Sequence, residues 1–256
     1  MGTGHEGRWT GRHAEKDRLR KAVWDDLVAK DLNIGPVHDR IPNFVGADRA
    51  AWRLAQMPAW KAARIVKCNP DPPQIPVRLR ALHEGKLVYT PVPELVQDFP
   101  FLLLDPAKLS AKGVGFELAA TSDGSMLYGE RVNFEEMERI DICVVGCVAV
   151  TRKGGRTGKG AGFADLELGI FREVGVVTDA TPICTTVHAA QVVPDDAVVM
   201  QGHDSPLDWI ATDGELIRTH TPYPQPRGVA WEAVQPDQFE TIPFLRRIQE
   251  RYRRAG

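Results

Sequence analysis

The 256-residue chain has few cysteines and no long apolar run, and both absences limit what it can be. Its four cysteines are Cys68, Cys143, Cys147 and Cys184, and none belongs to a Cys-x-x-Cys pair. A disulfide framework and a structural zinc site are therefore not expected, whereas buried free thiols in a reducing compartment fit. Because no apolar segment of about 18 residues is present and the N-terminus lacks an apolar signal core, we predict a cytoplasmic protein.

The chain also lacks an excess of either charge. It carries 32 Lys and Arg against 34 Asp and Glu, which gives a formal net charge of -2. This balance favours neither a general nucleic-acid binder nor an acidic interaction tail. Arginines concentrate in the C-terminal "TIPFLRRIQERYRRAG", which predicts a basic helix, and the polar residues 1–13 are predicted to be a disordered leader.

Helix and strand patterns alternate along the rest of the chain. Residues 16–30 carry Leu19, Val23 and Leu27 near helical spacing, which predicts an amphipathic helix. The predicted strands are "AARIVKCN", "KLVYTPV", "FPFLLLDP", "DICVVGCVAV", "PICTTVHAAQVV", "AVVMQGH" and "LDWIATDG". The β-branched run "DICVVGCVAV" predicts one buried central strand. This alternation indicates an α/β protein with a mostly parallel sheet covered on both faces.

A dense run of glycine, "RKGGRTGKGAGFADLELG" at residues 152–169, follows the predicted central strand. A strand, a glycine-rich turn and a helix can bind phosphate, because glycines let backbone N–H groups approach an anion and the helix adds its positive end. Arg156 and Lys159 would add positive charge. The spacing matches neither G-x-G-x-x-G nor G-x-x-x-x-G-K-[ST], so a plain connecting loop is the alternative interpretation.

The segment "GGRTGKGAGFAD" resembles the G-x-R-x-G-x-G-x-G-Y-x-D signature of the 5-formyltetrahydrofolate cyclo-ligase family. The resemblance extends along nearly all the chain, since "KDRLR" is similar to an N-terminal K-x-x-x-R helix and "VHAAQVV" and "GHDSPLDWIATDG" are similar to later family segments. "RIPNFVGA", "NPDPPQIPVR" and "FLLLDP" resemble the subgroup of methenyltetrahydrofolate synthetase domain-containing proteins. The resemblance implies a single-domain three-layer α/β/α sandwich over residues 14–256, with its site at the carboxyl edge of the sheet.

The resemblance implies an ATP-dependent ring closure that uses Mg²⁺. The family converts 5-formyltetrahydrofolate and MgATP into 5,10-methenyltetrahydrofolate, ADP and phosphate. The formyl oxygen attacks the γ-phosphorus, and this oxygen leaves as phosphate when N10 attacks the formyl carbon. Such chemistry requires mainly positioning and neutralisation of phosphate charge. We expect a folate or a related N-formyl or amide compound as substrate, no membrane or nucleic-acid partner, and a monomer or homodimer.

The family pattern also implies roles for individual residues. The implied catalytic cations are Lys16, Arg156 and Lys159. The implied ATP-binding residues are Lys16, Arg20, Arg156, Gly158, Lys159, Gly160, Ala161, Gly162 and Asp165. The implied substrate contacts are Asp71, Phe163 and His188, and the implied magnesium ligand is Asp204, with Asp208 as a second candidate. Lys16 and Arg20 are one helical turn apart and could reach one polyphosphate, although an isolated K-x-x-x-R is also typical of a solvated face.

Four positions depart from the family pattern. Val150 and Thr151 stand where the family has Phe and an Asp that helps hold magnesium, and Phe163 and Ala164 replace the two Tyr of its G-Y-Y-D. Loss of one carboxylate weakens the metal site, because Mg²⁺ takes oxygen ligands. Three hypotheses are therefore open: a cyclo-ligase, a catalytically inactive folate- or nucleotide-binding paralogue, and an RNA-associated scaffold. The retained cations and glycines favour the first.

Overall fold

The computed structural model describes residues 9–253 of the chain. Its helices are α1 (Ala14–Ala29), α2 (Ala47–Leu54), α3 (Pro58–Ala62), α4 (Ile75–His83), α5 (Pro106–Ala111), α6 (Phe116–Ala119), α7 (Ser122–Tyr128), α8 (Phe163–Val174), α9 (Pro236–Thr241) and α10 (Leu245–Arg253). Its strands are β1 (Ile65–Cys68), β2 (Leu87–Pro91), β3 (Phe101–Leu104), β4 (Glu130–Val132), β5 (Ile142–Val144), β6 (Ala149–Thr151), β7 (Arg156–Thr157), β8 (Ile183–Val187), β9 (Val192–Val193), β10 (Trp209–Thr212) and β11 (Leu216–Arg218). Within this part of the chain, no helix has the length and apolar character needed to cross a membrane.

An eight-stranded sheet in the order β11-β10-β8-β5-β1-β2-β3-β4 forms the centre of the fold. The strands from β10 to β2 in this order run parallel, and β11, β3 and β4 pair antiparallel at the two edges. Parallel strands in the middle of a sheet are covered on both faces, which is why β1, β5 and β8 are buried along their whole length. The prediction of an α/β protein with a mostly parallel sheet is confirmed.

Side chains of the central strands alternate between two cores. Ile65 and Cys143 belong to the core that contains α8 and α10, whereas Val66 and Ile142 belong to the core that contains α2 and α4. Because successive side chains of a strand point to opposite faces, helices cover both sides of the sheet. The fold therefore has the three α/β/α layers that the resemblance implied.

The apolar run at residues 141–150 forms two strands in different sheets, so the prediction of one central strand was wrong. β5 ends at Val144, and β6 belongs to a second sheet with the order β7-β6-β9. Between them lies Gly146, where an added Cβ would be 2.8 Å from Asp71 Oδ2 and 3.0 Å from Ile41 Cγ1. The chain leaves the main sheet at this close approach, a tertiary contact that local composition does not reveal.

Residues 197–203, predicted as a strand, contain no strand. The segment forms turns beside the glycine-rich region instead. Met200 Sδ accepts a hydrogen bond from the backbone N–H of Arg156 at 3.4 Å, and Asp204 Oδ2 accepts one from that of Gln201 at 2.7 Å. Side-chain acceptors therefore satisfy backbone groups that a sheet ladder would otherwise satisfy.

The prediction of a disordered leader does not hold for residues 9–13, because these residues pack against the domain. Trp9 is 7% exposed, and its ring meets the edge of Phe163 with centroids 5.6 Å apart. Arg12 Nη1 donates to the carbonyl oxygen of Ala161 at 2.9 Å. Burial of a large indole fixes this segment more strongly than its polar neighbours suggest. Residues 1–8 lie outside the described residues, so that part of the prediction stays a prediction.

Candidate functional site

A cleft of about 630 Å³ opens at the carboxyl ends of β1, β2 and β5. Its walls are α1, the segments that follow those three strands, residues 156–167, residues 201–204 and residues 228–238. In open α/β sheets, ligands bind in the crevice at the carboxyl ends of the strands where the strand order reverses, which is between β1 and β5 in this sheet. The position expected from the sequence is therefore the position of the main cleft.

The glycine-rich region is built differently from the single strand–loop–helix unit that we predicted. β6 and β7 form an antiparallel hairpin in which Ala149 lies opposite Thr157. Thr151 Oγ1 accepts the backbone N–H of Gly155 at 3.0 Å, so this glycine belongs to the hairpin turn. Only residues 158–162 form the loop that enters α8 and lines the cleft.

Two glycines in this loop have backbone conformations that other residues rarely adopt. Gly160 has φ +109° and Gly162 has φ +75°, and Gly162 is the N-cap of α8. A Cβ on Gly160 would lie 3.0 Å from Trp9 Cβ and 3.2 Å from Arg20 Nη2. The loop therefore needs glycine for its positive φ and for close packing under α1.

Lys16 and Arg20, one turn apart on α1, both reach the cleft as the resemblance implied. Lys16 Nζ lies 2.5 Å from Asp204 Oδ2. Arg20 Nη1 donates to Thr157 Oγ1 at 2.9 Å, and its Nη2 pairs with Asp17. Both side chains are buried, so the surrounding protein fixes the direction in which their charges point.

Arg156 is held inside the wall of the cleft and is 2% exposed. Its Nε donates to the carbonyl oxygen of Ser205 at 2.7 Å, and its Nη2 pairs with Asp165. Asp165 also accepts the backbone N–H of Ser205 at 2.8 Å. Burial alone would lower the pKa of Arg156, but attraction to Asp165, together with contributions from Cys147 and Asp204, raises that pKa overall. Arg156 thus ties β7, α8 and residue 205 together while it lines the cleft.

Lys159 differs from these cations because it is half-buried and has no carboxylate partner within the described residues. Its Nζ lies 5.9 Å from the ring centroid of Phe163, four residues later in the chain. The ring attracts the cation through its quadrupole but carries no net charge, so it does not neutralise the ammonium group. Lys159 is therefore well placed to meet an incoming anion.

Asp71 forms part of the opposite wall and carries no ion pair within the described residues. Burial raises its pKa, and the charge of Lys159 opposes this rise. The fully buried Arg78 fixes the backbone before Asp71, since its Nη1 bonds Asn69 O and its Nη2 donates to Pro70 O at 3.1 Å. The "NPD" turn therefore presents a carboxylate to the cleft on a rigid backbone.

A buried ion pair lies under the cleft and was not identified from the sequence. Lys67 Nζ lies 2.6 Å from Glu167 Oε2 and 2.5 Å from Asn69 Oδ1, and both Asn69 and Glu167 line the cleft. Burial raises the pKa of Glu167, and Lys67 opposes this rise. The available signals were a lysine inside the apolar strand "IVKC" and a glutamate on the apolar helix "LELGIF".

The structure does not bring His188 or Asp208 to the cleft. His188 caps a single turn of 3₁₀-helix at Ala189–Gln191, where its Nδ1 accepts the backbone N–H of Ala190 at 3.0 Å. Asp208 Oδ2 accepts the backbone N–H of Ile183 at 2.8 Å at the start of β8. Both side chains satisfy backbone N–H groups instead. His188, for which a substrate contact was predicted, therefore lies away from the main cleft.

Of the carboxylates that line the cleft, Asp165 and Asp204 come nearest to forming a site for Mg²⁺. Asp165 bonds the backbone of Ser205, the residue after Asp204, so the two acids lie close together. Each has one oxygen, Asp165 Oδ2 and Asp204 Oδ1, that is not used in a hydrogen bond within the described residues. Thr151 cannot contribute, because its hydroxyl serves the hairpin turn. Mg²⁺ is commonly held by one or two carboxylates together with substrate phosphates, so these residues fit an ion delivered with a nucleotide.

Comparison with known proteins establishes the relationship. The profile of the 5-formyltetrahydrofolate cyclo-ligase family matches residues 12–213, a range that contains the cations, the glycine loop and Asp204. The chain belongs to this family. Its sequence is 36% identical over 243 residues to a methenyltetrahydrofolate synthase domain-containing protein of Bos taurus, and 36% identical over 249 residues to that of Mus musculus. These alignments cover 94% and 96% of this chain but 63% and 66% of the relatives, so the chain spans just under two thirds of their length.

A solved structure has a similar fold. It is the NMR structure of 5,10-methenyltetrahydrofolate synthetase from Aquifex aeolicus, with a TM-score of 0.51 and 20% sequence identity. The match covers 82% of this chain and 95% of that one. The resemblance to the family and to its domain-containing subgroup is therefore confirmed, together with the α/β fold.

One wall of the cleft lies beyond the residues that the family profile matches. Residues 228–238 line it, and sequence reasoning missed them. The backbone N–H of Val229 donates to Glu173 Oε1 at 2.9 Å, and Gln238 Nε2 donates to Ala161 O at 3.0 Å. The C-terminal part of this chain therefore contacts both α8 and the glycine loop and narrows the cleft.

Proposed function

We propose that the protein is an ATP-dependent cyclo-ligase that closes a ring on 5-formyltetrahydrofolate or on a related N-formyl or amide compound. The observation that carries this proposal is that Lys16 and Arg20 of α1 line one cleft together with Lys159 and the other residues of the glycine loop, residues 158–162. Membership of the cyclo-ligase family supports the reaction type. The identity of the substrate is likewise part of the proposal.

The reaction requires that a formyl oxygen meets the terminal phosphorus of ATP. Attack forms a carbon–oxygen–phosphorus link and releases ADP. The neighbouring nitrogen then attacks the activated carbon and loses its proton, and the oxygen leaves with phosphate, so atoms and charge balance. Because the negative charge is borne by phosphoryl oxygens throughout, preorganised cations and amides are the main requirement.

The cleft supplies these groups from several elements. In the proposal Lys159 contacts the terminal phosphates directly, and Lys16 exchanges its contact with Asp204 for one with phosphate. Mg²⁺ bound at Asp204 and Asp165 would neutralise phosphate charge. Arg156 positions Asp165 and the loop, and Asp71 faces the acceptor substrate from the opposite wall. Lys16, Arg156 and Asp165 are held by hydrogen bonds or ion pairs, which limits the reorganisation that binding requires.

The decisive experiment measures turnover with 5-formyltetrahydrofolate, ATP and Mg²⁺. The expected result is ADP release that depends on the folate, together with the absorbance of a methenyl product. Ligand binding without ADP or product would instead support the catalytically inactive paralogue. Salt-sensitive RNA binding that persists in Arg156→Ala, without nucleotide binding, would support the scaffold hypothesis.

A further inference from the structure

Helix α9 contacts the glycine loop at the carbonyl oxygen of Ala161. Gln238 Nε2 donates to this oxygen at 3.0 Å, and Arg12 Nη1 donates to it at 2.9 Å. Arg12 Nη2 also lies 2.5 Å from Asp237 Oδ2, so the two donors are tied to each other. Asp237 and Gln238 lie beyond the residues that the family profile matches. The first and last parts of the described chain therefore meet on one peptide of the loop.

We propose that Gln238 and Arg12 are positioning residues for nucleotide binding, which hold the peptide between Ala161 and Gly162 so that the N–H group of Gly162 faces the phosphates. The inference rests on the proposed function, because it takes the phosphates to lie at residues 158–162. A peptide unit is planar and trans, so its C=O and N–H bonds point in opposite directions. Two donors on the Ala161 oxygen therefore direct the Gly162 N–H group away from themselves.

The composition of the loop explains why this peptide needs to be held. The backbone N–H groups of residues 158–162 donate to no acceptor within the part of the chain that the structure describes, so they are available to a ligand. Gly160 and Gly162 have positive φ, and glycine loses more conformational freedom on ordering than any other residue. Donors that fix the peptide before the ligand arrives lower the ordering cost of binding. If the peptide rotated, the carbonyl oxygen of Ala161 would face the phosphate oxygens and repel them.

Gln238 is the member of the pair whose effect can be separated from charge. Arg12 lines the cleft and carries a charge that could itself attract phosphate, whereas Gln238 is neutral. Gln238 is 5% exposed, and its Oε1 accepts the backbone N–H of Gln235 at 2.9 Å, which fixes the amide orientation. A Cβ on Gly162 would lie 3.5 Å from Gln238 Nε2, so this amide packs directly against the N-cap of α8.

Three variants of the full chain separate positioning from charge and from helix capping. Gln238→Glu keeps an oxygen for the N–H group of Gln235 but replaces the donor to Ala161 O with an acceptor. Gln238→Met is neutral and removes both hydrogen bonds. Thr241→Glu is the matched control, because it adds the same charge to α9 at an exposed position outside the cleft. Calorimetry measures the Kd of MgATP, and NMR follows the amide nitrogen resonance of Gly162, which responds to hydrogen bonding at the preceding carbonyl oxygen.

Both Gln238 variants should raise the Kd of MgATP about threefold to tenfold, the loss expected for one neutral hydrogen bond, and should move the Gly162 resonance. Thr241→Glu should change neither. If Gln238→Met does not fold, the difference between Gln238→Glu and Thr241→Glu decides alone.

The positioning role would be overturned by wild-type affinity in Gln238→Glu, which would leave Gln238 as a helix cap only. It would equally be overturned by wild-type affinity in Gln238→Met, which would assign any loss in Gln238→Glu to its charge, or by an affinity loss with an unmoved Gly162 resonance. A wild type that does not bind MgATP would overturn the proposed function together with this inference.

Discussion

Lys67 Nζ lies 2.6 Å from Glu167 Oε2 beneath the cleft, and the two side chains are 0% and 3% exposed. The pair connects β1 to α8, the elements that lead into the "NPD" turn and out of the glycine loop. Removing two charges from water is costly, so a pair at this depth gives little net stability. The main effect of the pair is on geometry, because it fixes the positions of the two opposing cleft walls relative to each other.

Replacement of one member of this pair should be strongly destabilising. Lys67→Ala leaves Glu167 buried without its cation and should lower the free energy of unfolding by about 3–5 kcal/mol. The double variant Lys67→Met, Glu167→Leu should recover most of that loss, because no uncompensated charge remains. Urea unfolding measures both.

The matched control for Lys67 is the exposed pair Lys108–Glu130, at 2.8 Å with side chains 55% and 39% exposed. Lys108→Ala should change the free energy of unfolding by less than about 1 kcal/mol, since exposed pairs are solvated and screened. If Lys67→Ala proved as mild as Lys108→Ala, the buried pair would have no role in holding the walls.

Lys159→Ala should weaken the binding of MgATP about tenfold to hundredfold, the loss expected for one charge-assisted contact. Because Lys159 has no carboxylate partner within residues 9–253, the free energy of unfolding should stay within about 0.5 kcal/mol of the wild type. Lys153→Ala is the control, because Lys153 lies in the hairpin turn and outside the cleft. Its Nζ is 3.4 Å from Asp195 Oδ2. Equal ATP affinity in both variants would remove the loop from nucleotide binding.

Two glycines of the loop should respond differently to alanine. Gly160→Ala introduces a Cβ at φ +109° and 3.0 Å from Trp9, so it should cost at least about 1 kcal/mol of stability and weaken ATP binding. Gly158→Ala should cost much less stability, because no atom lies within 4 Å of its added Cβ and its φ is not in the positive range. Thermal unfolding of the two variants provides the comparison, and equal losses would contradict the structure.

Asp71 should make the folded protein less stable as the pH rises. Its pKa in the folded state is raised above the ordinary 3.8 by burial, so the folded chain retains a proton that the unfolded chain has released. Stability from this group is complete below that ordinary value and is lost as the pH rises through the raised pKa. Asp71→Asn should therefore gain stability relative to the wild type as the pH rises above 3.8. Urea midpoints at several pH values would show this, and a constant difference would contradict it.

The sequence predicted the layers of the fold because these depend on local patterns. Apolar runs of strand length alternate with amphipathic helices, and this alternation indicates an α/β sheet. The glycines and cations at residues 156–162, which the sequence predicts to bind phosphate, line the main cleft. The break at Gly146 was not predictable, because it depends on contact with Asp71 and Ile41, residues far away in the chain.

What the sequence by itself determined was the set of chemical groups: flexible glycine amides, cations one turn apart on a helix, and a carboxylate in a proline-rich turn. Tertiary structure alone decided which of these groups are free and which are compensated. It paired Arg156 with Asp165 and Lys16 with Asp204, gave Lys159 no carboxylate partner among the residues that the structure describes, and brought residues 228–238 to the wall of the cleft. The physical reason is that charge compensation depends on distances across the fold, which no local spacing encodes.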